Sequence, residues 1–463
     1  MRRPTTRTFM TGALVAATLA VLLVVAAPAL AVSLPGDQLW QKTCAVSGSS
    51  GFVEMARGPG GVVYAVGSRD YKSGGKDCEC ILVAKYATSG RLLWKRSLAG
   101  GAIPNGSEGD AIAADGAGNV TVIGLKNTKT QGGDIIVARY SPAGALLWTH
   151  TFNGAADDTD QAFDVALDRS GNAYVAGMTS TAAHGYDLLL LKYAGSSGRR
   201  LWKYTHNYAI ANLDDGANAV ALDRSGAAYV TGWSINTGSV NGAAPVIKVS
   251  AAGKGLWTQR LNIGVFADGL RIARDGNGDV VVGGDFLGAV DRELFAAKLM
   301  PGSGAQVWPA RLLAYAYDQT LTDMAIGRCH NDIYLVGQST GGPVDLGVIA
   351  DYKYDGTPLW DTFYQPLDLA NGSMNWTAVA LDAHDDLFVA GRETSATTSF
   401  FHVGKAEWDG TWPLWQNRLD SGSLGHTTPM DALWTGGSSG GVYVCGVMTK
   451  SGVDYAYIAK YKP

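Results

Sequence analysis

A tryptophan returns every fifty-odd residues along almost the whole chain. Trp40, Trp94, Trp148, Trp202, Trp257, Trp308, Trp360 and Trp415 are separated by 54, 54, 54, 55, 51, 52 and 55 residues. Self-similarity at a period of that size marks a repeat array, in which each unit buries its apolar faces only against its neighbours. The text around each tryptophan recurs as well. Lys85-Tyr86 with Gly90 and Trp94 matches Arg139-Tyr140 with Gly144 and Trp148, and then Lys192-Tyr193 with Gly198 and Trp202. Upstream, Asp115-x-x-Gly118-Asn119 leading to Gly124 matches Asp168-x-x-Gly171-Asn172 leading to Gly177, and Asp223-x-x-Gly226 leading to Gly232.

Each unit holds four short apolar runs. In the third unit they cover 163–167, 173–177, 188–193 and 201–204, and all are bounded by Gly, Asp, Asn or Ser. Runs of that length, rich in β-branched and aromatic residues, predict strands. The Asp-x-x-Gly-Asn stretch predicts a tight hairpin, with Asp bonding its own backbone and Gly supplying a positive φ. Four antiparallel strands repeated radially make a β-propeller blade. Glycine, at 61 of 463 residues, fits such turns.

Three series count the blades. Inner strands start near Val53, Ala111, Phe163, Ala219, Leu270, Asp323, Thr377 and Met430. Second strands end at Gly67, Gly124, Gly177, Gly232, Gly284, Gly337, Gly391 and Gly446. Third strands carry Lys85, Arg139, Lys192, Lys248, Lys298, Lys353, Lys405 and Lys460. The expected fold is all-β: an eight-bladed β-propeller of four-stranded antiparallel blades. A lone strand at 39–44 pairs with 457–461 to close the last blade and leave no free edge. Seven blades plus an accessory hairpin is the alternative.

Two segments make up the chain. Residues 1–31 read as a signal peptide: Arg2, Arg3 and Arg7, an apolar run over 11–27, and the small-x-small signal Ala29-Leu30-Ala31. Residues 32–463 are the propeller, with no segment long and apolar enough to span a membrane. The protein is therefore expected to be secreted, periplasmic or cell-surface, and monomeric. A net charge of −4 without a Lys/Arg run excludes a basic nucleic-acid binder.

The repeated positions resemble the SBBP-type β-propeller repeat of secreted bacterial proteins. That pattern is close to D-x-x-G-N-x-Y-V-x-G followed by K-Y-x-x-x-G-x-x-x-W. The likeness covers essentially the whole chain after residue 31, and is weaker in the sixth blade, where Arg328 stands for the turn Asp, and in the eighth, where Thr435-Gly436-Gly437-Ser438 does. The family's name implies seven blades, so eight is a departure. Ser89-Gly90-Arg91-Leu92-Leu93-Trp94 is more distantly similar to the tryptophan-docking pattern of eight-bladed quinoprotein dehydrogenases. Neither resemblance carries a reaction, since one scaffold hosts many functions.

Several residues are candidates for chemistry. The eight bases either form a ring around the channel or are structural, snorkelling or pairing with an acid between blades, and the tryptophans pack between blades. Glu108, Asp160, Asp215, Asp268 and Asp323 recur where inner strands start, and either attract cations at the channel rim or cap turns. Asp275, Asn277 and Asp279 have the alternating oxygens of a calcium loop or form an ordinary turn. Calcium is thus the one cofactor entertained. Five cysteines in an exported chain suggest a bridge from Cys44 to Cys78 or Cys80, with Cys329 and Cys445 as buried strand thiols. No catalytic residue is assigned. Gly437-x-Ser439-x-Gly441, with its neighbour Ser438, sits in a hairpin turn rather than between a strand and a helix, the place a nucleophile elbow requires. The expected role is an extracellular binding or structural module for a glycan or protein surface, using the loops at 70–77, 127–133, 180–186, 234–244 and 338–345. The alternative is a quinoprotein-like or lyase-type enzyme working at the channel mouth.

Overall fold

The computed structural model describes residues 35–463, apart from 45–47, 74–75, 99–106, 128–131, 183–184, 209–212, 236–241, 314–316, 367–371, 396–398, 411–413, 421–426, 437–439 and 451–452. The expected signal peptide, Ser438 and Ser439, and parts of the anticipated binding loops lie outside the described residues.

Eight four-stranded antiparallel sheets follow one another along the chain, and each is a blade. Blade 1 begins with Ser50–Arg57, blade 2 with Ser107–Ala114, and blade 3 with Asp160–Leu167. Asp215–Leu222 opens blade 4, Phe266–Arg274 blade 5, and Asp318–Ile326 blade 6. Ser373–Leu381 opens blade 7 and Thr427–Thr435 blade 8. The fourth strand of blade 8 is Gln38–Thr43, which pairs antiparallel with Val453–Tyr461, Trp40 opposite Lys460 and Thr43 opposite Tyr457. The two ends of the propeller chain thus close the ring in one sheet.

Strands are two or three residues longer than the apolar runs suggest. Blade 3 uses Asp160–Leu167, Ala173–Ser180, Tyr186–Tyr193 and Arg200–His206. The added residues are mostly polar and extend the ladder at the strand ends. Both faces of the middle strands are buried, so Ala173 to Ala176 and Leu188 to Leu191 are fully enclosed against blades on either side. The Asp-x-x-Gly-Asn hairpin forms as expected: Asp168 Oδ1 accepts from Ser170 N at 3.0 Å and Asn172 N at 2.9 Å, and Gly171 has φ 73°.

The recurring glycine lies inside each second strand rather than at its end, as Gly177 does in Ala173–Ser180, because the strand pairs on past the bulge, and it has a steric cause. Every first strand bulges by one residue opposite it, for example between Ala162 and Asp164. The bulge pushes a carbonyl to where a Cβ would stand. A side chain at Gly177 would run into Gln161 O, at Gly232 into Gly216 O, and at Gly446 into Thr428 O. The bulge also shifts the alternation of the first strand and turns new side chains toward the axis.

The tryptophans join blades. Trp94 Nε1 donates to Pro142 O of the next blade at 3.0 Å, Trp148 to Gly195 O at 2.9 Å and Trp202 to Ala251 O at 3.0 Å. Each ring lies against a glycine of positive φ in that neighbour: Gly144 on Trp94, Gly198 on Trp148, Gly253 on Trp202. At the seam, Gly36 takes this place on Trp415.

Candidate functional site

The bulges line an axial cavity of about 330 Å³. Immediately after the bulge stand Glu54, Ala111, Asp164, Ala219, Arg271, Asp323, Ala378 and Asp431 in blades 1 to 8. Four acids and one base therefore share one level of the channel. Each acid reaches one blade onward. Glu54 Oε2 accepts from Ile112 N at 2.8 Å, Asp164 Oδ2 from Val220 N at 2.8 Å, Asp323 Oδ2 from Val379 N at 2.9 Å, and Asp431 Oδ2 from Met55 N at 2.7 Å. Arg271 meets Asp323 at 3.2 Å. These carboxylates clamp blades together at the axis and present their remaining edges to the cavity.

Electrostatics follow from that crowding. Protein encloses each acid on every side but the channel, and this burial favours the neutral form. Asp431 is pushed up to about 7 by burial and then by Asp323. Glu54 is raised well above the ordinary range by burial, with Asp164 and Asp431 adding to it. Burial also raises Asp164. The bulge residue Asp110 rises to about 7 through burial and the nearby Glu108, and its Oδ2 has no hydrogen-bond partner. Asp110 and Glu108 share a second hollow of about 320 Å³ with Glu79 and Phe163 at the channel mouth. Carboxyls near neutrality in a cleft can bind cations or exchange protons.

The five acids singled out by sequence occupy three different registers. Asp323 lies in the channel and Glu108 at its mouth. Asp268 accepts from Asn218 Nδ2 at 2.7 Å and is pushed to about 7 by burial and Asp285. Asp160 and Asp215 are buried at the roots of the inter-blade connections, where Asp160 takes the Thr179 hydroxyl at 2.5 Å and Asp215 takes Tyr208 N at 3.0 Å. Those two cap loops. Glu54, Asp110, Asp164 and Asp431 escaped sequence reasoning because the bulge breaks the two-residue alternation. Aligning first strands on the glycine opposite the bulge would have put Glu54, Asp164, Asp323 and Asp431 in one column.

The bases are structural ties rather than a channel ring. Their ion pairs lie within a blade, because the partner acid is in the same blade's hairpin, and the bond to a carbonyl is what crosses to the next blade. Lys192 Nζ lies 3.3 Å from Asp168 Oδ2 and donates to Ala251 O, the acceptor of Trp202. Lys248 repeats this with Asp223 at 3.9 Å and Pro301 O at 2.8 Å, and Arg139 pairs with Asp115. One member of the series is misplaced: opposite Tyr334 and Trp360 stands Asp351, while Lys353 is exposed in the following turn. The blade 6 hairpin, 327–332, is longer and starts at Gly327, which removes the usual acid too. In the Asp275 loop, Asp275 Oδ1 accepts from Asn277 N and Asp279 N, and Lys298 Nζ sits 2.6 Å from Asp275 Oδ2 and 3.5 Å from Asp279 Oδ2. An ammonium thus fills the space between the two carboxylates.

The structure holds the cysteines as thiols. Cys44 and Cys445 pack in one cluster between blades 8 and 1, and burial raises both. Cys78 and Cys80 are buried on the third strand of blade 1, Lys76–Tyr86. Cys329 is exposed in the blade 6 hairpin, not buried in a strand, because it falls in the middle of the turn, where the hairpins of blades 2 to 4 are exposed too.

Among known families, the SBBP β-propeller repeat matches residues 148–182, from the docking tryptophan of blade 2 through the hairpin of blade 3. No curated protein matches the sequence. Among solved structures, Sqt1 from Chaetomium thermophilum is 11% identical over 93% of this chain and 100% of its own, with a TM-score of 0.52. A europium-containing methanol dehydrogenase is 10% identical over 91% and 88%, at 0.51. Identities this low show a shared fold and nothing about activity. The blade count and the closure of the ring make this chain an eight-bladed β-propeller, and residues 148–182 within it are similar to the SBBP β-propeller repeat.

Proposed function

We propose that the protein is an exported binding module whose ligand, a glycan or a protein surface, is engaged by the loops joining second to third strands. The observation that carries this reading is the division of labour between rims. The hairpins on one rim are consumed by blade-to-blade ties, whereas the opposite rim carries connections that differ from blade to blade, such as 181–185 and 341–345. Side chains freed from a repeating structural duty are where recognition is written. Export is supported by Arg2, Arg3, Arg7 and the apolar run at 11–27, and predicts a processed protein beginning at Val32. The test is binding of the purified protein to immobilised cell-wall glycans and envelope proteins. Exchanging 181–185 and 341–345 for Gly-Ser turns should abolish binding with the melting temperature unchanged. Binding that survives both exchanges would refute this reading.

A second reading is favoured by Asp110, whose carboxyl, near neutrality and with Oδ2 unpartnered at the channel mouth, suits a general acid. A lyase-type or quinoprotein-like activity would then be lost in Asp110→Asn. Uronate-containing polysaccharides, and pyrroloquinoline quinone with calcium followed by absorbance, are the substrates and cofactor to try.

A further inference from the structure

Blade 6 keeps the setting of the inter-blade ammonium but lacks the ammonium. In the other blades it is received by two or three of the following groups. The first is an aromatic ring on the second strand: Lys85 lies 5.0 Å from the centre of Tyr64, Lys192 4.4 Å from Tyr174 and Lys248 4.9 Å from Tyr229. In blade 3 the ammonium also donates to the Tyr174 hydroxyl. The second is a carboxylate of the hairpin, and in blades 5 and 7 this includes its last residue, with Asp279 at 3.5 Å from Lys298 and Asp386 at 2.9 Å from Lys405. The third is the carbonyl shared with the tryptophan, as Tyr354 O is shared by Lys298 and Trp308.

All three have counterparts in blade 6. Tyr334 occupies the aromatic position and is fully buried. Asp332 ends the hairpin and is 4% exposed. Trp360 Nε1 donates to Trp408 O at 3.3 Å. In place of the base stands a further acid, Asp351, 1% exposed, and neither of its carboxylate oxygens nor the Tyr334 hydroxyl has a hydrogen-bond partner. Two carboxyl groups thus occupy a buried place that elsewhere is neutralised by a tethered cation. An unpaired buried carboxylate is strongly unfavourable unless something positive or a proton joins it.

We propose that this pocket between blades 6 and 7 binds a hard, oxygen-seeking cation, with Asp351 and Asp332 as its charged ligands and the Tyr334 hydroxyl and Trp408 carbonyl as neutral ones. An all-oxygen donor set suits potassium or calcium rather than zinc or copper. Where blade 5 holds an ammonium in the corresponding setting, its contacts to the last hairpin acid and the shared carbonyl are 3.5 and 3.0 Å, longer than the tight octahedron magnesium demands. The ion takes the role of the missing lysine and ties blade 6 to blade 7.

The test is thermal unfolding of the protein after dialysis with chelator into tetramethylammonium buffer, whose cation is too large for the pocket. Potassium chloride and calcium chloride are titrated separately at constant ionic strength, which distinguishes the two ions. One of them should raise the melting temperature saturably, by about 2–5 °C. Asp351→Asn should remove that response. Asp351→Lys, which supplies the tethered ammonium of the other blades, should remove it while raising the ion-free melting temperature, and keeps the test decisive if the first variant does not fold. Asp279→Asn, in blade 5 where Lys298 is present, should respond like the parent. No response to either ion would overturn the proposal, as would a response that survives at Asp351 or disappears at Asp279.

Discussion

On one rim, the hairpins of blades 2 to 5 and of blade 7 repeat the same contacts. The Asp-x-x-Gly turn holds the base of its own blade, and the base and the docking tryptophan meet the turn of the next blade, as Lys192 and Trp202 both do at Ala251 O. On the other rim, the first strands start from connections of unequal length, pinned blade by blade through different devices. Asp160 holds Gly154 N in blade 3, Asp215 holds Tyr208 N in blade 4, and Asp345 O receives Met374 N ahead of blade 7. A contact that must recur from blade to blade constrains sequence, and a loop anchored only at its roots is free to vary. The same strands thus give one rim that closes the ring and one that can differ between blades.

The glycines opposite the bulges should be the least replaceable positions. Gly177→Val would drive a side chain into Gln161 O, which is backbone and has little room to yield. Destabilisation of more than about 3 kcal/mol is expected, read as loss of the folded fraction in denaturant titration. A Gly177→Val protein of parental stability would remove the bulge as the source of the repeat's glycine. Next come the ties themselves. Trp148→Ala vacates a buried ring and leaves Gly195 O without its donor, for about 3–5 kcal/mol. Lys192→Met strands Asp168 and should cost about 1–3 kcal/mol in chemical denaturation. Equal costs for Trp148→Ala and an exposed loop substitution would erase the distinction between the rims.

Acids at the two places should respond to pH with opposite sign. Burial pulls Asp168 upward, but hydrogen bonds from Asn172 and the charge of Lys192 prevail and hold it below the usual range. Asp223 is held low in the same way, with Ser225 and Lys248 prevailing over burial. A lowered folded-state value means that stability from these pairs is present above about pH 4 and is lost on acidification. Asp431 and Asp110, raised to about 7, bind protons that the unfolded chain has already released, so their contribution is lost as pH rises from about 4 to 7. Each is worth on the order of a few kcal/mol at most. Unfolding free energy should therefore peak near pH 5 and decline toward pH 8, and Asp431→Asn should flatten the alkaline limb. A profile that rises from pH 5 to 8 would show these carboxyls to be charged and solvated.

The legibility of the sequence divides along the same line. Trp94, Gly90 and Asp115 announce blade number and closure because their contacts repeat, and a repeated contact forces a repeated residue. Glu54 and Asp164 in the channel were hidden because the bulge displaces them from simple alternation, and because Ala111, Ala219 and Ala378 interrupt their column. Asp351 was concealed by its neighbour Lys353: spacing alone selects the base, whereas pairing with Tyr334 selects the acid. The longer hairpin of blade 6, with Asn331 at φ 58°, breaks the pattern that would have corrected the alignment.

The smallest expected effect separates the rims most directly. Two residues, Gly-Ser, inserted after Gly342 lengthen a loop in which Gly341 already has φ 92° and a Cβ at that position would meet nothing within 4 Å. Loop closure grows only slowly with length, so the change in stability should stay within about 0.5 kcal/mol. The same insertion after Ser196 would displace Gly198, whose backbone lies against the Trp148 ring, and Gly195, whose carbonyl receives its N–H. Losing that docking should cost about 2 kcal/mol or more. Chemical denaturation of the two insertion variants side by side measures the difference. A tolerant Ser196 site would mean that the tryptophan does not need its turn, and that the regular rim is regular for some reason other than holding blades together.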